Sequence, residues 1–170
     1  MTLILRSAEG HDRTALNELN KTATPHVDPL SEGYFHYLVE QGLCIVAENP
    51  LGLVEGYIVL VHHSEDFDGE DFRWFKDSSD EPFVYIDQVV VGPEYQGRGI
   101  ASELYRCAEK YAAQVGAGAL TCEIRLDPLN EESHHFHKEH DFEEIGRRRS
   151  QGHDVLLMKK AVSEEPFVPA

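Results

Sequence analysis

Apolar residues recur along this chain with two different periods, and the points where one period gives way to the other mark its elements. Leu3, Ile4 and Leu5 predict a first strand. From Asp12 or Thr14 the spacing turns helical, with Ala15, Leu16 and Leu19 forming a stripe that ends before Pro25. Leu30, Tyr34, Tyr37 and Leu38 follow Pro29 near helical spacing, and Gly42 closes this second helix. Residues 43–48 and 53–63 flank Asn49-Pro50-Leu51-Gly52, the pattern of an antiparallel hairpin. Residues 64–80 break the rhythm, since Phe67, Phe72, Trp74 and Phe75 are set among acidic residues. This predicts a loop with one short helix, held down by aromatic anchors.

A Val-rich strand is predicted over 83–91, followed by Gly92-Pro93-Glu94-Tyr95-Gln96-Gly97-Arg98-Gly99. That segment opens a helix whose expected inward stripe is Ile100, Leu104, Cys107, Ala108, Tyr111 and Val115. Gly116 and Gly118 stop it, and 119–126 reads as the next strand. Asp127-Pro128-Leu129 leads into a last helix over 130–139, and strands over 142–150 and 154–160 are joined by Gln151-Gly152-His153. The element order predicts an α/β fold with a mixed, mainly antiparallel sheet. No repeat or second boundary interrupts it, so a single domain is expected over 1–162, with a frayed, polar tail over 163–170.

Composition narrows the class. Hydrophobic residues make up 41% and charged residues 27% of 170, which excludes fibrous and wholly disordered chains. Fifteen Lys and Arg against 31 Asp and Glu leave a net charge of −16, which disfavours a surface that grips nucleic acid or anionic lipid. An acidic field attracts cations, amines among them. No apolar run approaches the ~20 residues needed to span a bilayer. The first residues lack a signal-peptide pattern, so no membrane association and a cytoplasmic location are expected. Cys44, Cys107 and Cys122 are odd in number and unpaired in spacing, as for buried free thiols.

The segment from Gln96 to Ser102 carries the chemistry. Glycines let the backbone expose successive N–H groups, and the first N–H groups of a helix lack internal acceptors, so a pyrophosphate can be held there with few cationic side chains. Neither the Gly-x-Gly-x-x-Gly dinucleotide pattern nor the Lys-Ser/Thr of a nucleotide-hydrolase loop is present. Gln96-Gly97-Arg98-Gly99-Ile100-Ala101 instead resembles the acetyl-CoA signature Gln/Arg-x-x-Gly-x-Gly/Ala of the GNAT superfamily of N-acyltransferases. Cys122-Glu123-Ile124-Arg125 is similar to that family's next strand. Asn130-x-x-Ser133-x-x-Phe136-His137 and Asp141-Phe142 resemble its last helix and the strand after it.

The resemblance covers roughly residues 2–160 and implies a GNAT-like three-layer domain, with helices flanking the central sheet. It implies that backbone groups of Val89, Val90 and Val91 meet the pantetheine arm of acetyl-CoA. The pyrophosphate would be held by Gln96, Gly97, Arg98, Gly99, Ile100, Ala101 and Ser102, with the cofactor seated between the strands carrying Val91 and Glu123. Asn130 would touch the CoA arm, or cap the last helix, or do both. The implied reaction is direct attack of a primary amine on the thioester, which requires a base for the amine and benefits from a proton donor for the sulfur. Glu123 is the first candidate base and Asp87 the second; each could equally be a structural partner, Glu123 for Arg125. Many relatives place a tyrosine after the aromatic residue matched by Phe136, whereas this chain has His137, a donor with a different pH range. Phe136 is expected to point into the core and His137 toward the cofactor. A group of predicted acetyltransferases of unassigned function resembles this chain in the same Phe-His pair, in Tyr-Ile-Asp before the turn and in Thr-Cys-Glu on the next strand.

Other clusters invite competing readings. His134, His135, His137 and His140 could suggest a metal, but His-Glu-x-x-His is missing and no metal is expected. Arg147-Arg148-Arg149 would alternate faces along a strand and pair with surface acids. The aromatics of 64–80 are expected to be loop anchors rather than walls of a substrate pocket. The expected partners are acetyl-CoA and an amine acceptor, with a homodimer left open. An acyl-CoA sensor that has lost catalysis is the alternative function.

Overall fold

The computed structural model describes residues 2–163. In chain order its elements are β1 (Ile4–Ser7), α1 (Arg13–Thr22), α2 (Glu32–Gln41), β2 (Cys44–Glu48), β3 (Val54–His62), α3 (Glu70–Ser78), β4 (Phe83–Val91), α4 (Ile100–Gln114), β5 (Ala119–Arg125), α5 (Glu131–Glu139), β6 (Glu143–Ser150) and β7 (His153–Ala161). The strands form one sheet in the order β1-β2-β3-β4-β5-β7-β6, in which β4 and β5 pair parallel. The mixed, mainly antiparallel α/β sheet read from the sequence is therefore the observed one. The part of the predicted tail over 164–170 lies outside the described residues. No helix among the described residues is long and apolar enough to cross a membrane.

The chain divides into two compact units. One takes the residues up to Leu60 together with Ile86–Cys107. Here β1 pairs with β2 and β2 with β3, both antiparallel. Helix α1 buries Leu16, Leu19 and Asn20. Helix α2 is capped by the Ser31 hydroxyl, which accepts from the Tyr34 N–H at 3.1 Å, and closed by Gly42 at φ +66°. A buried polar network ties these pieces together. Asn20 Nδ2 donates to the Asp28 carbonyl at 2.9 Å and to Gln88 Oε1 at 3.2 Å, and the Tyr57 hydroxyl donates to the same Gln88 oxygen at 2.8 Å. Gln88 Nε2 in turn donates to the Asp28 carbonyl at 3.0 Å, so the α1–α2 connection is fixed by groups that would be costly to leave unpaired.

Asp12 is the second polar anchor of this unit. Its carboxylate accepts from Arg6 Nη1 and Nη2 at 2.8 and 2.9 Å and from the Glu9 N–H at 2.8 Å. These bonds, the Arg6 pair foremost, hold the Asp12 carboxyl below the usual carboxylate range. Asp12→Ala should cost ~1–3 kcal/mol in urea melts at neutral pH. Because the folded-state value is depressed, this contribution is present above the unfolded-state value and is lost as pH falls through the folded one. Asp12→Asn should accordingly lose less stability than the parent between neutral and acidic pH.

The other unit takes Val61–Tyr85 and the chain from Ala108 on. Residues 64–80 contribute the nine-residue α3, whose Phe72 and Phe75 are buried. Phe72 packs against Phe67, Tyr85 and Phe83 with ring centroids 5.5, 5.7 and 5.9 Å apart. Phe67, Phe72 and Phe75 are thus core anchors, as expected of them, whereas Trp74 is only half-buried. The first turn of α3 grips the β6–β7 hairpin. Glu70 accepts from the Ser150 hydroxyl at 3.1 Å and from the Gln151 N–H at 3.0 Å, and Asp71 accepts from Arg148 at 3.0 Å. The neighbouring arginines also find acids, Arg147 with Glu144 at 2.9 Å and Arg149 with Asp154 at 3.4 Å. The stripe expected of α4 holds only in part. Its buried positions are Ile100, Leu104, Tyr105, Ala108 and Ala112, Cys107 and Tyr111 are half-buried, and Val115 is 38% exposed, because the helix ends at Gln114 and the stripe ends with it.

Candidate functional site

The glycine turn belongs to the first unit, and its shape follows from its residues. Gly97 and Gly99 have φ of +77° and +81°, a region that L side chains rarely occupy, so the chain can reverse twice before the helix begins. The Gly99 carbonyl accepts from the Glu103 N–H at 3.1 Å, which makes Gly99 the residue that starts α4. A glycine there brings no side chain to cap the first turn, and the N–H groups of that turn have no intrahelical acceptor. A Cβ at Gly97 or Gly99 would meet no atom within 4 Å, so the space above the turn is open. Ile100 is buried and fixes the helix start, while Arg98 is exposed with its guanidinium 5.7 Å from the Tyr95 ring centroid. Gly56 on β3 allows the same close packing from below, since a Cβ there would lie 2.8 Å from the Val90 carbonyl oxygen and 3.4 Å from the Ile100 side chain. Backbone N–H groups, a helix dipole and one cation at an open turn suit the diphosphate of a CoA ester.

Along β4, Asp87, Val89 and Val91 alternate with the buried Gln88 and Val90 and are themselves only half-buried. The Asp87 carboxylate accepts a hydrogen bond from the Tyr34 hydroxyl of α2. Burial, and then the Asp87 charge, push the Tyr34 hydroxyl far above its ordinary value, which keeps it a proton-bearing donor.

In the second unit, the β4–β5 ladder runs from Phe83↔Ala119 to Tyr85↔Thr121, and β5 continues to Arg125. Glu123 follows Thr121 on the same face, half-buried, and its Oε2 accepts from the Tyr85 hydroxyl at 2.5 Å. Sequence reasoning weighed Glu123 against a pairing with Arg125 and did not single out Tyr85 as its partner. The signal was the parallel register, which sets a residue of β4 opposite Thr121, two residues before the acid.

Helix α5 answers two further expectations. Asn130 caps it, its Oδ1 accepting from the Ser133 N–H at 3.2 Å. The expected orientation of Phe136 and His137 is reversed: His137 is buried at 3% exposure, and Phe136 is half-buried and stacks on His140 at 3.9 Å. The reason is the turn after α5, where Asp141 at φ +67° folds Phe142 back so that its ring meets His137 edge-on at 4.9 Å. His137 Nδ1 donates to the Ser133 carbonyl at 2.6 Å. Burial pushes its pKa down to about 4, so the ring is neutral at neutral pH. A histidine lowered on folding takes up its proton more readily in the unfolded chain, so stability should fall as pH drops from about 6.5 toward about 4. His137→Phe should flatten that part of the stability–pH curve in denaturant melts, even where it costs stability at pH 7. His135 pairs with Glu139 at 3.1 Å, and among the described residues no group of three or more His, Cys, Asp or Glu is arranged to hold a metal ion.

The family model described as Acetyltransferase (GNAT) family matches residues 13–142. No curated protein matches the chain. Among solved structures, yncA from Salmonella typhimurium, determined with its cofactor acetyl-CoA, is 20% identical over 100% of this chain and 99% of its own, with a TM-score of 0.68. The ribosomal-protein-alanine N-acetyltransferase from Brucella melitensis is 23% identical over 94% of this chain and 99% of its own, with a TM-score of 0.69. Naa20 of Chaetomium thermophilum, in complex with a bisubstrate analogue, is 21% identical over 95% of this chain and 87% of its own, with a TM-score of 0.74.

Proposed function

Because the chain belongs to the acetyltransferase (GNAT) family, we propose that it is an N-acetyltransferase that moves the acetyl group of acetyl-CoA onto a primary amine by direct attack. The observation that carries this reading is the turn at Gly97 and Gly99, which opens α4 on a glycine with open space above it. The pyrophosphate of acetyl-CoA is held there, by N–H groups from Ile100 to Ser102 with Arg98 beside them, and the backbone of Val89 to Val91 receives the pantetheine arm. Bound acetyl-CoA supplies the activated thioester. In the reaction the amide C–N bond forms, the C–S bond breaks, and an ammonium acceptor loses two protons, one to a base before attack and one that passes to the CoA sulfur as the tetrahedral intermediate collapses.

An ammonium has no lone pair to attack with, so the first of these protons must be removed before attack. Glu123 takes this role, directly or through a water, with Tyr85 orienting its carboxylate; Asp87, oriented by Tyr34, is the second candidate. His137 can serve the sulfur only through a change of tautomer, because its Nδ1 proton is engaged by Ser133 and the ring is neutral. Asn130 serves α5 as a cap and has a second role, toward the CoA arm, in this proposal. The net charge of −16 favours a cationic amine as acceptor. Incubation with acetyl-CoA and a panel of polyamines, amino acids, aminoglycosides and peptide N-termini, followed by release of free CoA, tests the proposal. Acceptor-dependent release is the expected result. Binding of CoA with no release for any amine would favour the sensor.

A further inference from the structure

Strand β6 is the last of the sheet, and among the described residues no strand pairs with its outer side. Such an edge offers its backbone N–H and C=O groups to any extended chain, and the charges along it decide which chains can approach. β6 is acidic at one end, Glu143-Glu144, and basic at the other, Arg147-Arg148-Arg149, with Ile145-Gly146 between them. Three consecutive basic residues occur nowhere else in this chain of net charge −16. Glu143, Glu144, Arg147 and Arg149 are exposed, so the pattern is presented to solvent. Charges of one sign along an edge would repel a second copy, whereas charges segregated by sign attract a copy that runs the other way.

The register makes the match specific. Glu144 and Arg147 stand opposite Met158 and Leu156 of β7, on one side of the sheet, whereas Glu143, Gly146 and Arg148 stand opposite Lys159, Leu157 and Val155, on the other. The bulge at Ile145 is what brings Glu144 and Arg147 to the same side. A twofold axis through the sheet at Gly146 lays two β6 strands antiparallel and keeps the two sides apart. It sets Glu144 against the second copy's Arg147 and Glu143 against the second copy's Arg148, each contact occurring twice. A Cβ at Gly146 would meet only the Leu157 side chain, at 3.8 Å, so packing within the chain does not demand a glycine there, while close passage of another backbone does use one. Ile145, 43% exposed, flanks the axis from both copies. We infer that β6 is a self-complementary edge to which a second copy of this chain adds its own β6 antiparallel. The opposite edge, β1, has four residues with Arg6 as its one charge and carries no such pattern. Pairing like with like uses the edge in both copies, so assembly closes at two. The inference does not depend on the proposed acetyl transfer.

Sedimentation velocity over a concentration series tests this, at about 0.15 M salt, where the repulsion between two acidic chains is screened beyond roughly 8 Å. The parent chain should pass from monomer to dimer with a Kd on the order of 1–100 μM, since a single strand edge is a small interface. Glu144→Arg and Arg147→Glu should each weaken the dimer roughly tenfold or more, because each sets like charges across the axis twice. Both side chains are exposed, so both variants should fold. Mixed in equal amounts, the two variants should dimerise as tightly as the parent, because the arginines of one then face the glutamates of the other. Loss of the Glu144–Arg147 ion pair within each chain could not produce that rescue. Trp74, the only tryptophan, lines a cavity together with Ile145, so its emission should change with the mass and tie the dimer to this edge. A parent chain that stays monomeric to about 100 μM, a dimer whose affinity neither reversal alters, or a mixture without rescue would overturn the inference.

Discussion

Glu123→Gln should lower kcat for acetyl transfer by roughly 10²-fold at neutral pH, with CoA affinity and fold retained. The amide keeps the size of the side chain and an oxygen for the Tyr85 hydroxyl, so what it removes is the lone pair available to the ammonium proton. Tyr85→Phe separates orientation from basicity. It leaves the carboxylate but frees it to rotate, and should cost only several-fold in kcat. Asp87→Asn is the matching control in the other unit, where the Tyr34 hydroxyl can still donate to the amide oxygen. Stopped assays of the three variants with one acceptor decide the base. A Glu123→Gln enzyme at the parental rate, beside an inactive Asp87→Asn, would move the role to Asp87.

The elements were legible because local forces set their limits. The apolar runs of β2 and β3 on either side of Asn49-Pro50-Leu51-Gly52, the cap at Ser31, and glycines at φ +66° and +72° after α2 and α4 are short-range signals, readable from a few neighbouring residues. Helix α3 was half legible. Its aromatics at 72 and 75 have helical spacing, but the acidic residues just before them, Glu70 and Asp71, obscured a helix that runs the full length from Glu70 to Ser78. Those acids turn out to be tertiary ligands for the β6–β7 hairpin, a use no local pattern reveals.

The candidate site was legible where a motif is local and dim where a partner is remote. The turn from Gln96 to Ser102 could be read in full, since glycine spacing, strand and helix are contiguous. The hydroxyls that orient the two carboxylates could not, because Tyr34 and Asp87 are 53 residues apart and Tyr85 and Glu123 are 38. Phe136 and His137 failed for another reason. Adjacent residues on a helix differ by about 100°, and in a nine-residue helix with three histidines either could face inward until the chain beyond it is placed. The return of Phe142 decides the matter in favour of His137.

Gly99→Val should weaken CoA binding by roughly 100-fold or more, the larger of its two effects, since it acts on both the backbone and the space of the phosphate site. At φ +81° a valine strains its own backbone, at a cost of roughly 1–2 kcal/mol in stability, even though its Cβ would touch no neighbour within 4 Å. Relief of that strain turns the first N–H groups of α4 away, and the side chain fills the opening over them. Gly116, at φ +72° beyond the far end of α4 and likewise without neighbours within 4 Å, supplies the control. Gly116→Val should show a similar loss in denaturant melts with unchanged CoA affinity by calorimetric titration. If a folded Gly99→Val protein binds CoA as tightly as the parent, the pyrophosphate does not sit on this turn, and the argument that begins with the open helix start fails with it.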